Sequence, residues 1–426
     1  MAIDKYVYHV DVNSAFLSWS AAYKTSILNE KLDLRTVPSI VGGDQQKRHG
    51  IVLAKSIPAK KFGIQTGEPI VSAQKKCPEL IIIPPDYDLY VTASRAFIKI
   101  LKCYCDTVIQ YSIDEAWVVF DRYERVYGKG QMVDLAYQIK DKIRDTLGFT
   151  VNVGVSTNYL LSKMAGEISK PDKVHTLFPD EIKKKMWPMS VSELFMVGRA
   201  TTAKLHRLGI RTIGELATAD TSFIKGHLKS PGVILQRYAQ GGDLEPYITN
   251  HEANKGYGNS MTAPKDITNV EYAEHLLLSL CETISARLRK DNVKAAELSV
   301  HITTYEFLSF SRQKQLMSST NITEDLFKEA CITFRNLWDN RTPLRQIGVH
   351  VSKVSADTGH QYNLFDMQKY DRLEKLNHTI DKIRGKYGED SIMRASFLKS
   401  NIPHMGGGLD KNRRSGVTIG IDIGEN

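Results

Sequence analysis

The chain has 426 residues, of which 42% are hydrophobic and 25% charged, and its formal net charge is +9. That composition is ordinary for a globular protein, and the length suits two to four domains at roughly 100–200 residues each. No apolar run approaches the ~18 residues of a membrane-spanning helix. Five scattered cysteines (Cys77, Cys103, Cys105, Cys281, Cys331) form no CxxC pair and join no histidine cluster, which argues against a disulfide framework and a zinc site.

The N-terminal MAIDKYVYHVDV reads as a first strand ending near Asp11, with no pattern of a secretory leader. A cytoplasmic location with no membrane partner is expected. An insertion of about sixty residues follows. In residues 87–105, Leu89, Ala93, Phe97 and Leu101 repeat every fourth position and predict a helix. DTVIQYS and AWVVF read as two strands of a hairpin around Ile113-Asp114-Glu115. Leu135, Ile139 and Ile143 predict a second long helix, and TVNVGVS (150–156) a final strand.

The order strand–insertion–helix–strand–strand–helix–strand is the ferredoxin-like split βαβ arrangement. In it the first strand lies beside the third, so Asp11 meets Asp114 and Glu115 across about a hundred residues of sequence. Adjacent carboxylates repel and resist desolvation unless something compensates them: a metal, a substrate cation, or only water. Three acids at a sheet edge suit two divalent cations such as magnesium, which take hard oxygen ligands. In that scheme Asp11 and Asp114 bridge the ions, Glu115 holds the one that activates an attacking hydroxyl, and the Val12 carbonyl completes the other site.

After residue 178 the pattern turns to short helices. Residues 191–219 read as helix–turn–helix–turn–helix, broken at Gly198, Gly209 and Gly214. The polar stretch 238–260 reads as a linker. A second α/β segment follows, with a helix in LLLSLCETISARLRK and strands in AELSVHITTYEF and RQIGVHVSKV. Beyond it lie a helical stretch and a GGGLDKNRRSG segment expected to be flexible.

Several stretches together resemble the Y-family translesion DNA polymerases, in their UmuC-like (ImpB/MucB/SamB) branch. They are DVNSAF (11–16), AKSIPAKKFGIQTGEP (54–69), YSIDEA (111–116), VNVGVSTNYLLSKMAGEISKPD (151–172) and MVGRATTAKLHRLGIRTIGEL (196–216), with weaker similarity through GYGNSMTAPKDIT (256–268). The resemblance implies a multidomain α+β fold. A ferredoxin-like palm (1–14 and 79–178) would carry an inserted fingers domain (15–78), followed by a helix-hairpin-helix thumb (179–242). A linker (243–255), an α/β little finger (256–356) and a tail (357–426) would complete the chain. It implies a template-directed, error-prone enzyme that adds dNTPs to a primer 3′-hydroxyl with two magnesium ions and acts in damage tolerance, without proofreading. Asp11, Asp114 and Glu115 would be its metal-binding triad. Phe16 falls at the steric gate against a 2′-hydroxyl, and Lys60 and Lys170 fall beside the triphosphate.

The chain also departs from the family. Ile57 and Lys60 stand where many relatives have Tyr and Arg, so one hydrogen bond and one bidentate fork to the triphosphate are lost. Asn13 replaces an Asp, and Met196 replaces the first glycine of the thumb hairpin. QYNLF (361–365) resembles the pentapeptide with which bacterial polymerases dock on the sliding clamp. Leu364 and Phe365 would fill an apolar pocket and Gln361 bond at its rim. Accessory damage-response subunits are candidate partners, and a monomer is expected. The positive surplus suits primer-template DNA, with Lys290, Lys294, Arg312 and Lys314 as candidate phosphate contacts in the little finger. Two other readings stay open: a nucleotide cyclase, since VGGDQQ (41–46) faintly resembles a GGDEF turn, and a non-catalytic DNA- or clamp-binding protein.

Overall fold

The computed structural model describes residues 5–43, 50–121, 128–244, 254–356, 367–398 and 400–406, which fall into two compact units divided near residue 252. In the first unit β1 (Lys5–Val12) is followed by α1 (Ala15–Ser26), β2 (Ser39–Gly42), β3 (Val52–Lys55), α2 (Ile57–Lys61), α3 (Ile70–Lys76) and β4 (Ile81–Ile83). Then come α4 (Tyr87–Lys102), β5 (Val108–Gln110), β6 (Glu115–Asp121), α5 (Lys129–Leu147), β7 (Val151–Ser156), α6 (Tyr159–Glu167) and β8 (Val174–Thr176). The helical part follows as α7 (Ile182–Lys185), α8 (Arg199–Arg207), α9 (Ile213–Thr218) and α10 (Thr221–Ala239).

The main sheet has the order β5-β6-β1-β7-β8, so β1 does lie beside the third of the predicted strands. TVNVGVS is not the last strand: the three-residue β8 pairs parallel with β7. β1 is buried on both faces, and its alternation sorts two sets of side chains. Tyr6, Tyr8, Val10 and Val12 pack under α4 and α5 with Phe97, Leu101, Ala136, Ile139 and Ile143. On the other face Val7 joins Trp117 and Val119 against Leu160, Leu161 and Met164 of α6. Gly154 explains how closely α6 lies on β7: a Cβ there would stand 1.9 Å from the Ser162 carbonyl oxygen. The insertion is not a plain loop, since β2, β3 and β4 form a second sheet in the order β3-β2-β4. Ile40, Val52, Ala59, Ile64, Ile70 and Ala73 make its core.

The second unit has β9 (Gly256–Ile267), α11 (Val270–Lys290), β10 (Val293–Thr304), β11 (Ser309–Thr320), α12 (Thr323–Arg335), β12 (Leu344–Ala356) and α13 (Met367–Tyr387). Its antiparallel sheet has the order β11-β10-β12-β9. Leu298, Val300, Ile302, Ile347, Val349 and Val351 form one core with Leu276, Leu280 and Ile284 of α11 and Phe334 of α12. Residues beyond the last strand also belong to this unit: Phe397 and Ile402 pack into the same core. The expected linker falls largely, and GGGLDKNRRSG almost wholly, outside the described residues, as do VGGDQQ from Asp44 onward and QYNLF.

Candidate active site

Strand register gathers the acids. Asp11, the penultimate residue of β1, pairs directly with Glu115, the first of β6, and with Asn152 of β7 on its other side. Directly opposed residues share a face, so Asp11 and Glu115 lie on the α6 side, together with His9 and Trp117. Asp114 is tied in through the backbone: the Val12 N–H donates to its carbonyl oxygen at 3.0 Å. The turn itself is pinned, because Ser94 Oγ of α4 donates to the Ile113 carbonyl at 2.5 Å and the N–H groups of Tyr111 and Ser112 both donate to the Glu115 carbonyl. Ser112 Oγ donates to Asp114 Oδ1 at 2.6 Å.

Two lysines reach these acids from α6 and the segment after it. Lys170 Nζ bonds Asp11 Oδ2 at 2.6 Å and Glu167 Oε1 at 2.8 Å. Lys163 Nζ bonds Glu115 Oε2 at 2.6 Å. Lys163 is nearly buried, with its ammonium 5.3 Å from the ring centres of both Tyr111 and Phe195. His9 Nε2 lies 3.3 Å from the same Glu115 oxygen. Burial pushes the imidazole of His9 down to about 4, so it is neutral at physiological pH despite that carboxylate.

The acids differ in charge state. Burial pushes Asp11 up to about 6; the Lys170 ammonium opposes this, and the Glu115 and Asp114 carboxylates add to it. Asp114 is raised as well, first by burial, with Ser112 opposing and Glu115 adding. Burial works the same way on Glu115, but the His9 hydrogen bond and the Lys163 ammonium outweigh it and pull this carboxyl to about 2. Burial would lower Lys170, yet its bonds to Asp11 and Glu167 hold the ammonium above the usual range. Four acids thus face two lysines in a half-desolvated pocket.

Among the described residues no three or more His, Cys, Asp or Glu side chains are gathered tightly enough to hold a metal ion; the lysines hold Asp11 and Glu115 instead. The donor set nevertheless fits a hard divalent cation: all the candidates are oxygens, and burial, with the neighbouring carboxylates adding to it, makes two of the carboxyls resist ionisation.

Phe16, in the first turn of α1, is half-buried, and its ring stacks on Tyr90 with centroids 4.5 Å apart and planes 6° apart. Tyr87 and Trp19 flank it. Asn13 turns away from the acids: its Nδ2 donates to Thr150 Oγ1 at 3.2 Å. Lys60 stands exposed in the last turn of α2, beside Lys55, and Ile57 is also exposed. Lys163 and His9 were missed in the sequence. The available signal was a lysine inside YLLSKMAG, a stretch in which every residue is buried.

Just before α8, Met196 adopts φ +73° and is exposed, so this non-glycine residue keeps the backbone conformation the missing glycine favours. Next to it, Ser192, Val197, Gly198, Arg199, Thr202 and His206 line a shallow pocket of about 460 Å³ at the start of α8. In the second unit the register assigns the candidate phosphate contacts to faces that the sequence left open. Arg312 and Lys314 oppose Val300 and Leu298, so they share the core face of the sheet, where they bond Asn336 and Glu329 of the α12 side. Lys294 is buried. The opposite face carries Ser299, His301, Thr303, Ser311, Gln313 and Gln346, together with Glu297, which pairs with Lys353.

Residues 10–167 match the impB/mucB/samB family, and residues 254–364 match the impB/mucB/samB family C-terminal domain. A protein of Clostridium acetobutylicum named DNA polymerase IV is 43% identical over 397 residues, covering 93% of this chain and 99% of that protein. DNA polymerase IV of Acetivibrio thermocellus is 34% identical (92% and 97% covered), and DNA polymerase IV 2 of Bacillus subtilis 32% (93% and 96%). A solved Y-family DNA polymerase chimera shares the fold with a TM-score of 0.67 at 22% identity, over 82% of this chain and 99% of its own.

Proposed function

The chain belongs to the impB/mucB/samB family of Y-family translesion DNA polymerases, and on that footing we propose that it extends a primer 3′-hydroxyl with dNTPs on damaged templates, using the carboxylates at the β1–β6 junction. The observation that carries this reading is the direct pairing of Asp11 with Glu115 beside an Asp114 carbonyl bonded to Val12. Asp11, Asp114, Glu115 and the Val12 carbonyl would hold two magnesium ions, which, when bound, lower the charge barrier for attack on the α-phosphate and departure of pyrophosphate. Lys170 keeps Asp11 neutralised in the metal-free state and is the cation available to the triphosphate once metal takes over that task. Phe16, braced face-on by Tyr90, walls the sugar side of the site and excludes a 2′-hydroxyl.

Primer-template DNA runs along the remaining surface. The backbone N–H groups at the start of α8 offer phosphate contacts without reading sequence. QYNLF docks on the bacterial sliding clamp and raises the local concentration of enzyme at primer ends. The protein works as a cytoplasmic monomer, with accessory damage-response subunits as further partners.

Primer extension with Mg²⁺ and dNTPs on intact and lesion-bearing templates, beside an Asp114→Ala control, tests the reading. Extension by the wild type and none by the variant is expected; equal extension by both would sink the site assignment. Phe16→Ala should admit ribonucleotides, and unchanged sugar selectivity would refute the gate. Replacing Leu364 and Phe365 with Ala should abolish binding to the clamp while leaving extension on short primers intact.

A further inference from the structure

Glu115 is held differently from its two neighbours. Its Oε2 faces Lys163 Nζ at 2.6 Å and His9 Nε2 at 3.3 Å, whereas no donor among the described residues reaches Oε1. Lys163 has little freedom to leave. It lies on α6, which Gly154 allows to sit directly on the sheet, and its ammonium is enclosed by the rings of Tyr111 and Phe195. His9 is fully buried, with Trp117 packed 5.2 Å away, ring centre to ring centre. Its Nδ1 has no partner among the described residues. A buried N–H left unpaired is the rarer arrangement, so the proton belongs on Nε2, where it is donated to Glu115. Lys170, by contrast, is one-third exposed and bonds two acids from a segment outside any helix, so it is free to exchange partners.

We infer that Lys163, with His9 beside it, is a positioning residue that commits Oε2 of Glu115 to the protein and leaves Oε1 as the single oxygen this residue offers to a metal ion. The inference rests on the reading of the carboxylates as a metal site. It separates two lysines that look alike in sequence: Lys170 is an exchangeable counter-ion, and Lys163 a fixed one. A fixed ammonium competes with the metal for the same carboxylate, so it weakens metal binding while holding the ligand in one orientation. Removing it therefore moves affinity and turnover in opposite directions, which loss of a merely structural side chain does not do.

The test titrates Mn²⁺ into the full chain without DNA or nucleotide and reads free ion by electron paramagnetic resonance. Primer extension rates in Mg²⁺ are measured on the same proteins, and thermal melting checks the fold. Lys163→Met should bind Mn²⁺ about tenfold more tightly, because a nearby cation no longer repels the ion, and extend primers about tenfold more slowly, because Glu115 loses the partner that orients it. His9→Phe, which keeps the packing on Trp117, should shift both in the same directions by less, and it carries the test should Lys163→Met not fold. Mn²⁺ affinity unchanged or weakened in the folded variants overturns the inference. Asp114→Asn should lose most Mn²⁺ binding; if it binds as the wild type does, the metal-site reading itself fails, not only the role of Lys163.

Discussion

Two of the partly buried charge clusters among the described residues are built in opposite ways. In the second unit three arginines meet three acids. Arg289 grips Asp381 with two nitrogens, at 2.5 and 3.0 Å; Arg384 bonds Glu282 at 2.7 Å; and Arg394 bonds both Glu282 and Glu324. Burial would raise Glu324, but Arg394 outweighs it and holds the carboxyl below its usual range. In the first unit Asp11, Asp114, Glu115 and Glu167 share, among the described residues, the ammonium groups of Lys163 and Lys170, and burial leaves Asp11 and Asp114 hard to ionise. The difference teaches what each cluster is for. A network of equal charges with fitted hydrogen bonds fastens α13 and the segment after it to α11 and α12. On the proposed function, the cluster with surplus negative charge is the one that takes a cation from outside.

The comparison breaks if the two clusters respond alike to substitution. The largest expected effect is on catalysis: Asp114→Ala should slow primer extension by on the order of 10³ or more without loss of thermal stability. In the second unit Arg384→Ala should do the reverse, lowering stability by about 3 kcal/mol in urea unfolding because Glu282 is left buried with one partner fewer. Its extension rate per folded molecule should be unchanged. A stable Arg384→Ala variant would contradict the structural role.

Asp11 sharpens the contrast through pH. Its folded, metal-free value of about 6 lies above the ordinary 3.8. The folded state therefore binds the proton more tightly than the unfolded state. Stability from this group is fully present below about pH 4 and is lost as pH rises through 6. Asp11→Asn mimics the protonated form and should stabilise the metal-free protein by about 2 kcal/mol at pH 7.5, with the gain gone by pH 4. By the same linkage, divalent-metal binding by the wild type should weaken as pH falls through 6. The smallest effect belongs to a site outside both clusters. Met196→Gly should stabilise the protein by about 0.5–1 kcal/mol, because glycine adopts φ +73° without strain; a loss of stability there would mean that the Met196 side chain is worth more than the strain it imposes.

What the sequence made legible follows from element length and from distance along the chain. Long periodic segments announced α4 and α5, and the order of strands was enough to bring Asp11 to Asp114 and Glu115. The strands β2, β3, β4 and β8 run only three or four residues each, too short for alternation to show. Lys163 was hidden because its partner lies 48 residues away, and Arg289, Arg384 and Arg394 because theirs lie 92, 102 and 112 residues away. The face that Arg312 and Lys314 take was not legible, because register decides the face of a strand, and a shift of one residue reverses it. Phe16 was visible as an aromatic residue after the first strand, but its stacking partner Tyr90 lies on α4, beyond the whole insertion.

The central claim is that the surplus negative charge at Asp11, Asp114 and Glu115 is made good by a divalent cation. The most direct measurement is the melting temperature of the DNA-free chain at pH 7.5 with and without Mg²⁺, for the wild type and for Asp114→Asn. At about ten times the dissociation constant, binding contributes about 1.4 kcal/mol, or roughly 3–6 °C for a unit of this size. The account predicts that rise in the wild type and its absence in Asp114→Asn; an equal response from both proteins, or none from the wild type, would contradict it.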